Sequence, residues 1–175
     1  MGIGQEIARK CGGVALAALS LGFTLRSIGQ EIEDWMKVKD SDIWNEPVSN
    51  DFCLSNQVLA SLKLSYSYMS PCLKPCFTYC ATFAKGHKIV KDDLIYKWIG
   101  LDFIKPTKLL SNTQLCEKYI LQLLGLSFFQ QLVSPKVCHF SIPIPHSIFF
   151  LLQSIEKKHI YVIFDKSMLT TYTEH

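Results

Sequence analysis

Arginine is almost missing from this chain: Arg9 and Arg26 are the only two among 18 basic residues in a sequence of 175. Base readout in a nucleic-acid groove leans on Arg, Asn and Gln set along one helix face, so this scarcity argues against direct nucleic-acid recognition. Charge of both signs is sparse, at 19% of residues against 49% apolar, which excludes a disordered polyelectrolyte. With 9 Gly and 7 Pro in no regular period, the sequence is neither collagen-like nor low-complexity, and it contains no internal repeat. Long apolar runs are missing too. The stretch from Cys11 to Leu25 is shorter than the ~18–20 residues that cross a bilayer, so no membrane span is expected. The seven cysteines are odd in number and dispersed, whereas a disulfide framework uses even counts on short, loop-rich chains. A reducing, cytoplasmic setting follows. A chain this long buries roughly 70% of its unfolded surface, enough for one ordinary domain or two small ones without metal or disulfide.

Catalytic patterns are equally scarce. No Gly-x-x-x-x-Gly-Lys-Ser/Thr run occurs, so nothing in these 175 residues supplies the inward-turned amides and Lys-Ser/Thr pair that hold a phosphate and its magnesium. The five histidines, at 87, 139, 146, 159 and 175, are scattered, and no Ser-His-Asp, Cys-His or Gly-x-Ser-x-Gly arrangement can be assembled. The chain is not expected to be an enzyme. Arg9-Lys10 ahead of the apolar run to Leu25 has the layout of a cleaved secretory leader, which keeps a small secreted protein as an alternative. Met1-Gly2 opens like a myristoylation site, but Glu6 stands where Ser or Thr is required.

What is present is helical periodicity. Residues 5–26 read as one helix with Ile7, Val14, Leu16, Leu19 and Leu21 as its apolar positions. Gly12-Gly13 in its middle implies a kink, a helix start near Gly13, or a close backbone approach. A second helical stretch runs from Gln30 to Val38, and residues 39–56 read as a loop with at most one short turn. From Asn56, placed as an N-cap, Val58, Leu59, Leu62, Tyr66 and Met69 recur at helical spacing until Ser70-Pro71 stops them. Cys72 to Phe83 makes another helix with Pro75 in its first turn. Asp92 and Asp93 open the next, where acidic residues suit the dipole better than they suit a magnesium-binding strand, since Lys91 interrupts the apolar run before them. Asn112 or Thr113 caps the last, Gln114 to Gln130, whose stripe includes Leu115, Tyr119, Ile120, Leu123, Leu124 and Phe128. None of these segments reads as a strand.

Beyond Ser134-Pro135 the texture changes. Pro143 and Pro145 are expected to exclude a central strand, and Ile160 to Phe164 is the one strong strand run. The apolar run Ile148 to Leu152 is expected to lie exposed on a weakly attached tail. Charge is uneven as well: residues 57–138 hold ten Lys/Arg against four Asp/Glu, either a nucleic-acid surface or a solvated lysine face. Cys72, Cys76 and Cys80 fall four apart on one helix face, but no second ligand pair follows at metal-site spacing. They read as small, buried, metal-free core side chains.

Five segments in register carry a family resemblance. Arg9-Lys-Cys-Gly-Gly-Val-Ala-Leu-Ala-Ala18, Leu62-Lys-Leu-Ser-Tyr66, Leu73-Lys-Pro-Cys-Phe-Thr-Tyr-Cys-Ala-Thr-Phe83, Leu94-Ile-Tyr-Lys-Trp-Ile99 and Leu123-Leu-Gly-Leu-Ser-Phe-Phe-Gln130 follow one another as in plant nucleotide-binding, leucine-rich-repeat (NLR) disease-resistance proteins. The resemblance covers roughly residues 3–136 and implies the second half of the nucleotide-binding (NB-ARC) module. The fold it implies is mainly α: the end of a helical bundle in 1–68, a winged-helix-like subdomain in 69–136, and a divergent tail in 137–175 with little β structure.

The family exchanges ADP for ATP when a pathogen is sensed, and a Gly-Leu-Pro-Leu motif packs near the adenine. The motif aligns with Gly13, Val14, Ala15 and Leu16, so Ala15 replaces the proline and the adenine contact is in doubt. The family's Met-His-Asp triplet does not occur in these 175 residues. ADP and ATP are therefore cofactors implied by the family and not expected to bind to this stretch alone. The partners implied are other domains of an NLR protein or another NLR chain, with no direct nucleic acid. A winged-helix nucleic-acid binder is kept as an alternative.

Overall fold

The computed structural model describes every residue except 1, 30, 47–54, 85, 107, 134–139 and 156–175, and it divides into two units. The first takes the residues up to Met69 together with Gly125–Phe128. The second takes Ser70–Leu124 and the described residues from Phe129 onward.

In the first unit, α1 (Ile3–Lys10) and α2 (Ala15–Ile28) replace the single expected helix over 5–26. Gly12 and Gly13 sit at φ +62° and +75°, in the left-handed region that only glycine enters without penalty, so the helix breaks there. α3 spans Ile32–Lys39, a 3-10 turn covers Asp42–Asn45, and α4 spans Asn56–Ser67. Asn56 is the first helical residue, one place past its expected capping position, and Ser55 precedes it without a side-chain cap bond.

α2 packs most extensively on α4, and both helices bury small residues. Ala17, Ser20 and Thr24 of α2 and Ala60, Ser61 and Ser65 of α4 are buried. Their hydroxyls donate within their own helices, Thr24 to the Ser20 carbonyl at 2.9 Å and Ser61 to the Gln57 carbonyl at 2.8 Å, so burial leaves them satisfied. Leu19, expected on the apolar stripe, is instead 58% exposed, because the small polar face is the one turned inward. Ile7, Leu21, Leu25, Val38 and Leu64 complete this core. The two indoles close it with backbone bonds, Trp35 Nε1 to the Gly29 carbonyl and Trp44 Nε1 to the Val38 carbonyl.

The second unit begins with α5 (Leu73–Tyr79), in which Pro75 lies in the first turn where its missing N–H costs nothing, and continues as a 3-10 turn over Cys80–Thr82. β1 (Lys88–Val90), an element absent from the expected ones, leads directly into α6 (Lys91–Gly100) with Asp92 and Asp93 in its first turn. α7 spans Asn112–Gly125 and stops five residues short of the expected Gln130. Its cap is Ser111, not Asn112 or Thr113. The Ser111 hydroxyl accepts from the Gln114 amide at 3.3 Å while the Gln114 side-chain oxygen accepts from the Ser111 amide at 2.9 Å, a capping box.

β2 (Leu132–Val133) and β3 (Phe140–Pro143) complete an antiparallel sheet in the order β1-β3-β2, and α8 (His146–Ser154) follows. The register pairs Ile89 with Ile142 and Leu132 with Ser141. β3 is thus central, against the expectation that Pro143 and Pro145 forbid it. Pro143 is the last residue of the strand, where one lost N–H interrupts nothing, and its carbonyl still accepts from the Gln130 amide at 3.3 Å. Nor are residues 140–154 a loose tail: Ile148, Leu151 and Leu152 are buried, and α8 packs on the Cys80–Thr82 turn. The strand run expected at 160–164 lies outside the described residues. The architecture is mainly helical with a small sheet, in keeping with the expected fold class.

Candidate functional site

The segment aligned with the family's adenine-side motif forms the turn that starts α2. Gly13, Val14 and Ala15 are exposed and Leu16 is half-buried. Val14 is extended at φ −89°, ψ 120°, and its amide donates back to the Cys11 carbonyl at 3.2 Å, which closes the turn. α2 begins without a side-chain cap, so its first amides are not claimed by a capping group. Nothing lies within 4 Å of where a Gly13 side chain would stand, whereas at Gly12 it would run into Gln57 Oε1. Gln57, from the first turn of α4, is therefore the side chain that borders this loop. No local pattern announces it, because the approach joins residues 45 apart.

Ala15 occupies the first helical position, where a proline is well accommodated: the missing N–H would be unused and the extended Val14 is the conformation that precedes proline. The backbone at this position would thus accept a proline in place of Ala15. No cationic side chain or Lys-Ser/Thr pair belongs to this loop, so these residues do not by themselves fit a nucleotide's phosphates.

The outward face of α7 carries exposed Gln114, Glu117, Lys118 and Leu121. Glu117 is paired with Lys91 at 2.7 Å, and one charge of each sign leaves the face neutral. Tyr96 and Leu109 are also exposed in this unit.

The cysteine trio divides. Cys76 and Cys80 are fully buried in the core, but Cys72 is exposed, because it precedes α5 rather than lying within it. Among the described residues no three His, Cys, Asp or Glu side chains converge as metal ligands. Burial raises the Cys76 and Cys80 thiols well above the ordinary range and pushes Cys116 up to about 11. Cys11 is raised by burial too, partly offset by a hydrogen bond with Ser61. In the unfolded chain these thiols ionise near their ordinary value of 9.0, so the folded state holds more protons above that pH. Stability should be flat through neutrality and fall as pH rises beyond about 9, by about 1.4 kcal/mol per pH unit for each thiol that ionises only on unfolding. Urea midpoints measured from pH 7 to 10.5 will show this, and a Cys116→Ala variant will show a shallower decline.

Among the described residues no helix is long and apolar enough to cross a membrane. Residues 82–143 match the model of the disease resistance protein winged helix domain, which carries the family pattern past the expected limit at Lys136 and through the end of β3. RGA1 and RGA2 of Solanum bulbocastanum, both named as disease resistance proteins, are 39% and 37% identical to this chain over 132 and 130 residues. RPP13-like protein 1 of Arabidopsis thaliana, also named for disease resistance, is 33% identical over 138 residues. These alignments cover 74 to 78% of this chain but only 12 to 13% of each relative's length. The chain belongs to the plant disease-resistance proteins of the nucleotide-binding, leucine-rich-repeat family, and residues 82–143 are their winged-helix domain.

Proposed function

We propose that this chain acts as the non-catalytic half of an NLR nucleotide switch, offering the adenine-side turn and packing surfaces to partner domains that hold the phosphates. The observation that carries this reading is the α2 turn: the aligned residues Gly13, Val14 and Ala15 form an exposed helix start without a side-chain cap, while the loop contains none of the phosphate-binding groups. The burial of Ala17, Leu21 and Leu25 makes the apolar run after Arg9-Lys10 a core helix, which favours this over the secreted alternative. The neutral outward face of α7 disfavours the nucleic-acid alternative, since a phosphate backbone is engaged by an excess of cations. The cytoplasm is the compartment that suits the buried free thiols.

Calorimetry should detect no ADP binding tighter than about 100 µM and no ATP hydrolysis, because phosphate contacts dominate nucleotide affinity. Ala15→Pro should leave that titration unchanged while stabilising the fold by about 0.4–1 kcal/mol, since it restricts only the unfolded chain. A low-micromolar dissociation constant in either protein would refute the proposal.

A further inference from the structure

We propose that Gly125–Phe128 is a strained clasp of the first unit, closed by the Phe23 ring against Gly125 and opening as a separate step before the core unfolds. Four observations support it. These four residues group with the first unit, although Leu124 before them and Phe129 after them belong to the second. A side chain at Gly125 would overlap Phe23 Cε2 and stand 2.7 Å from Cδ2 and Cζ, so only glycine lets the ring sit there. Ser127 is held at φ +57°, in the left-handed region that serine rarely enters, between the buried side chains Leu126 and Phe128. The Phe129 amide donates to the Leu123 carbonyl at 3.1 Å, which pins the two ends of the segment together.

The geometry makes the segment a self-contained loop. The Phe129 amide joins its ends at the Leu123 carbonyl and the segment starts at the last residue of α7, so lifting it disturbs only the final turn of that helix. Phe23 is half-buried on α2, outside the row of Ala17, Leu21 and Leu25 that lines the core, so releasing its ring leaves that row covered. Strain at Ser127 favours release, and burial of Leu126 and Phe128 opposes it. Such a balance places the segment at the low-stability end of the molecule.

Hydrogen exchange read by mass spectrometry on the full chain tests this with three substitutions. Gly125→Ala should speed exchange across residues 125–129 by about tenfold or more while peptides from α4 and α6 keep their wild-type rates. In a Phe23→Ala background, which removes the ring, Gly125→Ala should have little further effect. Ser127→Gly relieves the strain and should slow exchange in the same peptide. Equal acceleration in every peptide would overturn the proposal, because the segment would then be ordinary core. So would an undiminished effect of Gly125→Ala without the Phe23 ring. If Gly125→Ala does not fold, Phe23→Ala and Ser127→Gly alone decide the matter: the first must speed and the second must slow residues 125–129, and failure of either overturns it.

Discussion

Ending the chain at residue 137 will abolish the folded winged-helix unit. The cut removes β3, the central strand with which β1 and β2 both pair in the order β1-β3-β2. Both remaining strands, three and two residues long, are left as unpaired edges that cannot persist in water. α8 goes too, taking Ile148, Leu151 and Leu152, which are no more than 1% exposed. Three such side chains contribute roughly 5–9 kcal/mol by burial, which rivals the 5–15 kcal/mol that holds a whole domain folded. The truncated protein should lose much of its helical circular dichroism and its cooperative melting transition, and should aggregate through the newly exposed core. A truncated chain that keeps both signals would show that β3 and α8 are dispensable additions.

Two prolines conceal β3 in the sequence. A proline inside a strand removes a ladder bond, and the rule that confines it to edges holds for the strand's interior. Pro143 escapes by being the final residue, and Pro145 lies in the connection ahead of α8. Without that strand, Lys88-Ile-Val90 had no partner within reach and could not be distinguished from loop, since its pairing spans more than fifty residues. The run Ile148 to Leu152 then looked like exposed apolar sequence, when its 3.6-residue spacing buries Ile148, Leu151 and Leu152 on one helix face.

Helices that bury large apolar side chains are legible. Leu94, Ile95 and Trp98 on α6, and Leu115, Tyr119, Ile120 and Leu123 on α7, are buried as their spacing indicates. α2 departs from its expected stripe because its buried face combines Leu21 and Leu25 with Ala17, Ser20 and Thr24, residues that carry little hydrophobic signal, while Leu19 points outward. At the candidate site the Gly-Gly pair announced a break, and the resemblance supplied its meaning. The neighbouring Gln57 could not be found that way, because no local pattern records which distant side chain a glycine admits.

Trp98→Ala is expected to destabilise the winged-helix unit by about 3–5 kcal/mol, the range for removing a large buried aromatic. The indole is fully buried on α6, the largest such side chain in the molecule's described core, and the helix turns off it at Leu101 with the Phe103 amide donating to the Trp98 carbonyl. The indole also has a liability. Its Nε1 is buried with no hydrogen-bond partner among the described residues, and an unpaired buried donor costs about 1–3 kcal/mol. Trp98→Phe removes that donor while keeping most of the apolar surface, so the cavity it leaves is offset by the polar group it eliminates. The phenylalanine variant should therefore lose less than half of what the alanine variant loses. At about 2–4 °C per kcal/mol, thermal melts should separate the two clearly, with the alanine protein roughly 6–20 °C below wild type and the phenylalanine protein less than half as far below it. An unchanged melting temperature for Trp98→Ala would mean that α6 presents a different face to the core. Equal losses for both variants would mean that the indole N–H is satisfied in solution, by a water or by the chain beyond the described residues.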